Sequence, residues 1–572
     1  MNLLVKKINF VITLFIVFLL TLNAFSKESD FRYSRDNVSN YFLGTISNSK
    51  NNFISAYKYL NKAQSIKKNH TKFNSQFIHT LIFMNKFDQA FKFSRDIWKE
   101  EEYFFEADLL LGLESLLKKN YEKAEKHFSR LNKISSSNLI FFDFIDKFLL
   151  SWVKAAQGNS EDSIQFLNKI PERFNNLKKI QNAFLQCYFE TSKTEIAFEN
   201  LINTSEYNFS RYNFFLINYF LHKNKEAAAE IVISKNNNLY NANLLIKETK
   251  NFMEKGEINK IKNLFNCKNP SDPIAEIFYV IANLYSSQND YKLSNLYLNI
   301  SLFLNNKFLP NKALLAENFF VQEKYEYSKK VYLSMKSIGP VYSWHAARNI
   351  SIIFLDTDKE KKAVSNLKKE FDSIVNPKLE HYYEFANFYK SIEYYKESIK
   401  YFSLALSKIK KDHSLYPKIL DRRGTSYERM GDWENAEKDL SQSLKILPDQ
   451  AHVLNYLAYS WVDKKINIEK SLAMLKKAVN LKKNDGYIID SLGWAYYVKK
   501  DYITAEKFLQ RAVELLPQDP VINDHYADAL WMTKKNIQAR YVWKYVLNLD
   551  DTEEELKKNI NKKLVFGLNS KL

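Results

Sequence analysis

The sequence predicts an all-α solenoid of stacked helix pairs, and three observations carry that prediction. First, a small residue returns about every 34 positions, followed by Ala or Ser at +12 and a bulky apolar residue at +16. The clearest copy is Gly493, Tyr496, Ala505, Leu509, Ala512 and Pro517. The same offsets give Gly424, Tyr427, Ala436, Leu440, Ser443 and Pro448, and again Ala527, Leu530, Ala539, Trp543 and Val546. Second, only ten glycines and ten prolines punctuate 572 residues. Third, no run alternates with period two between turn signals, so a sheet is not expected. A fixed period of this length means stacked helix pairs, because one pair alone cannot bury its apolar face.

Taking the small residue as a marker, the C-terminal half reads Ala282, Ala316, Ser351, Ala386, Gly424, Ala458, Gly493 and Ala527. A polar insertion from Lys410 to Ser414 lengthens one step. The +12 partners are Ser294, Ser328, Ala363, Ser398, Ala436, Ser471 (displaced by one), Ala505 and Ala539. The N-terminal half is weaker: Gly44 with Ala56, Ile78 with Ala90, Gly112 with Ala124, Ser151 with Ser163, Leu185 with Ala197. Around Ala227 and Ala228 the phase is lost, and between Lys235 and Asp272 helical segments show no repeat. The count is about fourteen pairs. Small residues at the marker and +12 let two helices approach closely, and large residues at +3 and +16 fill the flanks. Prolines such as Pro340, Pro448 and Pro517 stop the preceding helix, having no N–H to continue it.

These offsets resemble the tetratricopeptide repeat, specifically across 273–550 and more loosely across 40–234. The resemblance implies a right-handed superhelix with a concave inner face. It also implies which helix A positions face inward: three before the marker, one after it, and four after it. In the last three pairs the first of these holds Asn455, Asp490 and Asp524; the second Tyr459, Trp494 and Asp528; the third Val462, Tyr497 and Trp531. Polar groups repeated at one position can hydrogen-bond an extended peptide, and flanking aromatics can bury its side chains. Tyr487, His452 and His525 begin the same helices. The competing reading is that the aromatics pack against the neighbouring pair and cap the core. If Asp490, Asp524 and Asp528 meet a ligand, they favour one of basic or amide character.

Chemistry of other kinds finds no foothold. The nine histidines are scattered without metal-ligand spacing, and two cysteines cannot build the usual zinc site. No phosphate-cradling glycine loop and no nucleophile elbow occurs. Glu553, Glu554 and Glu555 read as a solvated helix end. No enzyme, cofactor or metal is therefore expected. The basic balance of +19 does not point to nucleic acid: residues 417–550 hold 21 Lys and Arg against 18 Asp and Glu, so the best-defined repeats are nearly neutral.

The N-terminus carries Lys6 and Lys7, an apolar stretch from Ile8 to Leu22, then Ala24 and Ser26 in a small-x-small pattern. This reads as a secretory signal over 1–26, cleaved after Ser26. Left uncleaved, it would hold the protein peripherally at the inner membrane. Its removal takes two lysines from +19, leaving +17. Cys187 and Cys267 stand eighty residues apart, about two repeats, and packing between neighbours alone makes a disulfide improbable. They are expected to be buried bystanders.

The segments beginning at Asn455, Asp485 and Pro520 are similar to exported or lipid-anchored tetratricopeptide proteins of Gram-negative, especially alphaproteobacterial, envelopes. Some of these bring a carboxy-terminal processing protease to its substrates. The lipid-anchored members carry an acylated cysteine after the signal, which this chain lacks. The expected organisation is a signal (1–26), a linker (27–39), degenerate repeats (40–272), a regular array (273–550) and a charged capping helix (551–572). The expected function is a non-catalytic periplasmic scaffold for protein or peptide partners. The alternative is an accessory factor for envelope assembly or for polysaccharide or outer-membrane export.

Overall fold

The three-dimensional architecture, a computed structural model, describes residues 33–68, 70–99, 103–131, 142–203, 210–235 and 244–569. The signal reading over 1–26 lies outside them. Among the described residues there are 31 α-helices and no strand. The first helix, Arg35–Ser49, is capped by the Ser34 side chain, so the expected linker is already helical from Arg35. No described helix is long and apolar enough to cross a membrane.

Thirty helices form fifteen successive pairs, and the last, Glu554–Phe566, stands alone. One backbone feature marks every pair. The turn between its two helices holds a residue in the left-handed region, from Asn51 and Asn85 at the start to Lys500 and Lys534 at the end, with φ between 54° and 85°, and the turn before Ile468 holds a second, Asn467 (φ 51°). Each turn closes its helix by a six-residue backbone hydrogen bond, such as Asp501 N–H to Tyr496 O (3.0 Å) or Lys535 N–H to Leu530 O (2.8 Å). Only Gly158, Gly256 and Gly431 among these fifteen are glycine.

This left-handed residue stands seven positions after the marker and so settles the phase where sequence left it open. Asn224 makes Ile217 the marker, with buried Ala229 twelve residues on. Gly256 makes Thr249 the marker, with buried Ile261 twelve on. Glu190 moves the fifth marker to Ala183, two residues before the expected Leu185, because the turn before Thr194 is longer.

The small residues do what their spacing requires. A methyl on Gly493 would stand 2.7 Å from Leu509 Cγ, and one on Gly44 would stand 2.6 Å from Leu60, each sixteen residues on. Where the marker itself is serine it bonds across the pair: Ser151 Oγ donates to Ser163 O (2.8 Å) and Ser351 Oγ to Ala363 O (3.0 Å). Such bonds satisfy a hydroxyl that helix packing has buried.

The chain divides into two units, 1–370 and 371–572. The reason is that pairs between 33 and 370 do not touch their neighbours alone. Phe87 of the second pair stacks on Phe303 of the eighth (centroids 3.9 Å), and Asn51 donates to Gln322 Oε1 (3.2 Å). Phe53 packs edge-on to Tyr327. Buried Glu276 accepts from Arg211 Nε (3.1 Å) and Gln181 Nε2 (3.3 Å), and Gln181 also accepts from Trp152 Nε1 (2.8 Å). Glu248 caps the helix Pro340–Leu355 by accepting from the Val341 and Tyr342 N–H groups. The single-file expectation therefore fails in this unit: aromatic residues outside the repeat offsets join distant turns of the array.

The same curling corrects the cysteine expectation. Cys187 and Cys267 form a disulfide, with Cα atoms 6.0 Å apart across eighty residues of sequence. Phe265, two residues before Cys267, packs on Phe184 (4.9 Å), and Lys268 Nζ donates to Tyr188 O (2.8 Å).

The second unit contains the last five helix pairs and the capping helix. Residues 551–572 are expected to cover the last apolar face, and Ile560 of Glu554–Phe566 does pack on Ala527, Leu530 and Trp543.

Candidate partner-binding face of the last three helix pairs

Of the nine residues at those positions Val462 is fully buried, and the other eight lie on the first helices of three successive pairs, Ala451–Asp463, Gly486–Val498 and Pro520–Met532. Asp485 and Asp519 cap the latter two through their side chains, accepting from the Ile488 N–H and from the Val521 and Ile522 N–H groups. The caps fix where each helix starts.

The structure gathers Asp490, Trp494 and Tyr497 around His525. Trp494 lies parallel to the His525 ring (4.0 Å) and to Tyr497 (4.6 Å). The His525 imidazole pairs with Asp490 at 3.0 Å. Burial works against the charged imidazole, but the Asp490 carboxylate outweighs it and raises the histidine above its ordinary value. Burial, with Asp490 and Asp463 beside it, pushes the Tyr459 phenol up to about 12. Asn455, one turn before Tyr459, stands apart; its Oδ1 is buried with no hydrogen-bond partner among the described residues.

At the far end the two remaining carboxylates are already engaged. Lys563, from the terminal helix, donates to both oxygens of Asp524 and both of Asp528 at 2.8–2.9 Å. Asp528 Oδ1 also accepts from Trp543 Nε1 (3.1 Å). Burial and the neighbouring Asp524 raise the Asp528 carboxyl to about 6, against the pull of Lys563. Trp531 rests on Trp543 (5.4 Å) with the Arg540 guanidinium over its ring. Gly567 seals this end: φ is +67°, and any Cβ there would collide with the Trp531 ring.

The carboxylates thus meet basic groups, as their placement suggests, but the groups are His525 and Lys563 of this chain. Tyr459, Trp494 and Tyr497 remain half-exposed, as do Asn455 and Trp531. Sequence spacing had no means of pairing Asp524 with Lys563, 39 residues on, because the terminal helix carries no second helix to complete the repeat.

Repeat offsets, turn conformation and marker packing together make the chain a tetratricopeptide-repeat protein, a class of scaffolds that hold protein or peptide segments. No protein-family model matches it. Over 103 residues it is 31% identical to the TPR repeat-containing protein PA4667 of Pseudomonas aeruginosa, a match spanning 18% of each chain. The chain thus covers about a fifth of that relative's length, in keeping with shared repeats. Among solved structures, yeast Tom70 superposes at a TM-score of 0.33 with 16% identity, covering 79% of this chain and 94% of that one. The thermophilic TPR protein TTC0263 of Thermus thermophilus gives 0.28 and 16%, covering 33% of this chain and 99% of its own. Scores of this size carry no argument about shape or role.

Proposed function

We propose that the protein is a non-catalytic scaffold of a bacterial cell envelope that holds an extended protein segment on the inner face of its last three pairs. The observation that carries this is the strip of Tyr459, Trp494 and Tyr497, half-exposed although each is large and aromatic. Tyr and Trp pair apolar area with a polar edge, and they dominate affinity where they cluster. The His525–Asp490 pair stiffens the strip from behind, so little ordering entropy is lost on binding. The bound segment would lie across helices whose spacing is set by the marker contacts.

Export is supported by the basic-then-apolar N-terminus and by the Cys187–Cys267 bridge, since disulfides persist in oxidising compartments. Bringing a protease to its substrates is one use of such a scaffold: a long array offers separate patches and raises the partners' mutual effective concentration. The test is affinity capture from solubilised membranes, comparing wild type with a Trp494→Ala, Tyr497→Ala chain. Loss of at least tenfold in the co-purified partner is expected; equal capture would remove the reading. Recovery of the chain in a spheroplast interior instead of the periplasmic fraction would remove the envelope assignment.

A further inference from the structure

A second, separate surface lies at the edge of the last repeats. An open trough of about 770 Å³ runs between the turn after helix Tyr502–Leu515 and the turn into Glu554–Phe566. That volume is within the range of built ligand sites. Its floor is apolar: Leu515, Leu516 and Leu556 are half-buried, while Tyr487 is 59% and Val521 48% exposed. The floor has a cause. A methyl on Gly486 would stand 2.7 Å from Leu516, so the helix start sits flush on the preceding turn and leaves the Tyr487 ring outward. Large apolar side chains are seldom left so exposed side by side without a partner.

The rim settles what that partner is. Asp519, Asp551, Glu553 and Glu555 surround the floor, and no lysine or arginine is among the thirteen lining residues. This occurs in a chain with 84 Lys and Arg against 65 Asp and Glu. Among the described residues none of the four rim carboxylates forms an ion pair; Lys557 on the same helix is taken by Glu554 (2.8 Å). Asp519 is held rigid because its Oδ1 caps the following helix at 3.0 Å.

We propose that this trough docks a cationic, amphipathic protein segment: an apolar side chain on the floor, flanked by lysine or arginine at the rim. The apolar floor supplies affinity, and the fourfold negative rim supplies orientation and on-rate, so binding weakens as salt rises. This surface is independent of the aromatic strip, and the two would let one molecule hold two partners.

The probe is a fluorescein-labelled heptapeptide, Lys-Leu-Lys-Phe-Lys-Leu-Lys, titrated with the full chain and followed by anisotropy. Binding should fall at least tenfold in a Glu553→Lys, Glu555→Lys chain and comparably in Tyr487→Ala, Val521→Ala. Trp494→Ala, Tyr497→Ala should leave it unchanged, so failure here and failure of the inner-face reading are told apart. All replaced positions are exposed or half-exposed, and circular dichroism checks that each variant keeps its helices. No measurable binding, binding to the rim variant within twofold of wild type, or equal binding of a peptide with glutamates for lysines overturns the proposal. Self-association in sedimentation that the rim variant abolishes, without peptide binding, would make a second copy the occupant and also overturn it.

Discussion

Replacing Lys563 with methionine tests how the buried carboxylates Asp524 and Asp528 are held. The variant keeps the apolar stem and loses the ammonium that makes four contacts at 2.8–2.9 Å. Asp524 and Asp528, with side chains only 11% and 8% exposed, are then left without their cation. Removing one partner of a buried pair costs about 3–5 kcal/mol. Lys563 itself is 19% exposed, so solvent screens part of the interaction and the lower end, about 3 kcal/mol, applies. Repeat arrays open locally, so the loss falls on the terminal helix. Amide exchange across 554–566 should speed up by about two decades, at about 1.4 kcal/mol per decade. The pH dependence has a definite sign. The Asp528 carboxyl sits at about 6 in the folded chain, above the roughly 3.9 of an unfolded one. Its ionisation therefore opposes folding; the penalty is absent below about pH 4 and complete above about pH 6. The methionine variant should be most defective at pH 8 and less so at pH 5, and adding Asp528→Asn should restore most of the protection at pH 8. Unchanged exchange, or a defect equal at both pH values, refutes the reasoning.

The remaining predictions concern packing, turns, the disulfide and the histidine. Gly112→Ala places a methyl against the Phe128 ring and should lower the urea midpoint by an amount worth about 1–3 kcal/mol. Lys500→Gly relieves a left-handed lysine, φ 70°, and should raise stability by about 1 kcal/mol in the same assay. Cys187 and Cys267 should resist alkylation until reduced; Cys187→Ser, opening a loop of eighty residues, should cost about 4.5 kcal/mol on the chain-entropy relation. His525 is opposed by burial but raised by Asp490. The stability it contributes is full below about pH 6.5 and lost as pH rises through its higher folded value. Asp490→Asn should flatten that segment of the melting-temperature profile and lower the histidine's midpoint in proton NMR.

Much of the fold could be read from spacing because it depends on volume at fixed offsets. Gly493 against Leu509 and Ser351 against Ala363 are such cases, where only a small residue fits. The middle of the chain was illegible because its markers, Ile217 and Thr249, are not small, and its turns vary in length. The most regular feature, a left-handed residue seven positions after each marker, was hidden because twelve of these fifteen are Asn, Asp, Glu or Lys. Nothing local in a sequence distinguishes a left-handed Lys119 from a helical one. The interlocking of Phe87 with Phe303 and of Cys187 with Cys267 was missed for a different reason. Periodicity reports how a pair meets the next pair and says nothing about how far the array curls. In the last three pairs the half-exposed aromatics could be picked out by spacing, whereas the cation that meets Asp524 and Asp528 comes from a helix outside the repeat.

The central claim is that the strip of Tyr459, Trp494 and Tyr497 holds a protein segment. It is tested most directly by placing a photo-crosslinking phenylalanine analogue at position 459, and separately at the outward, exposed position of Tyr541, in the producing cell. The account predicts a discrete adduct from 459, lost in the Trp494→Ala, Tyr497→Ala chain, and none of that mass from 541. The same adduct from both positions, or its persistence without the two aromatic rings, would contradict it.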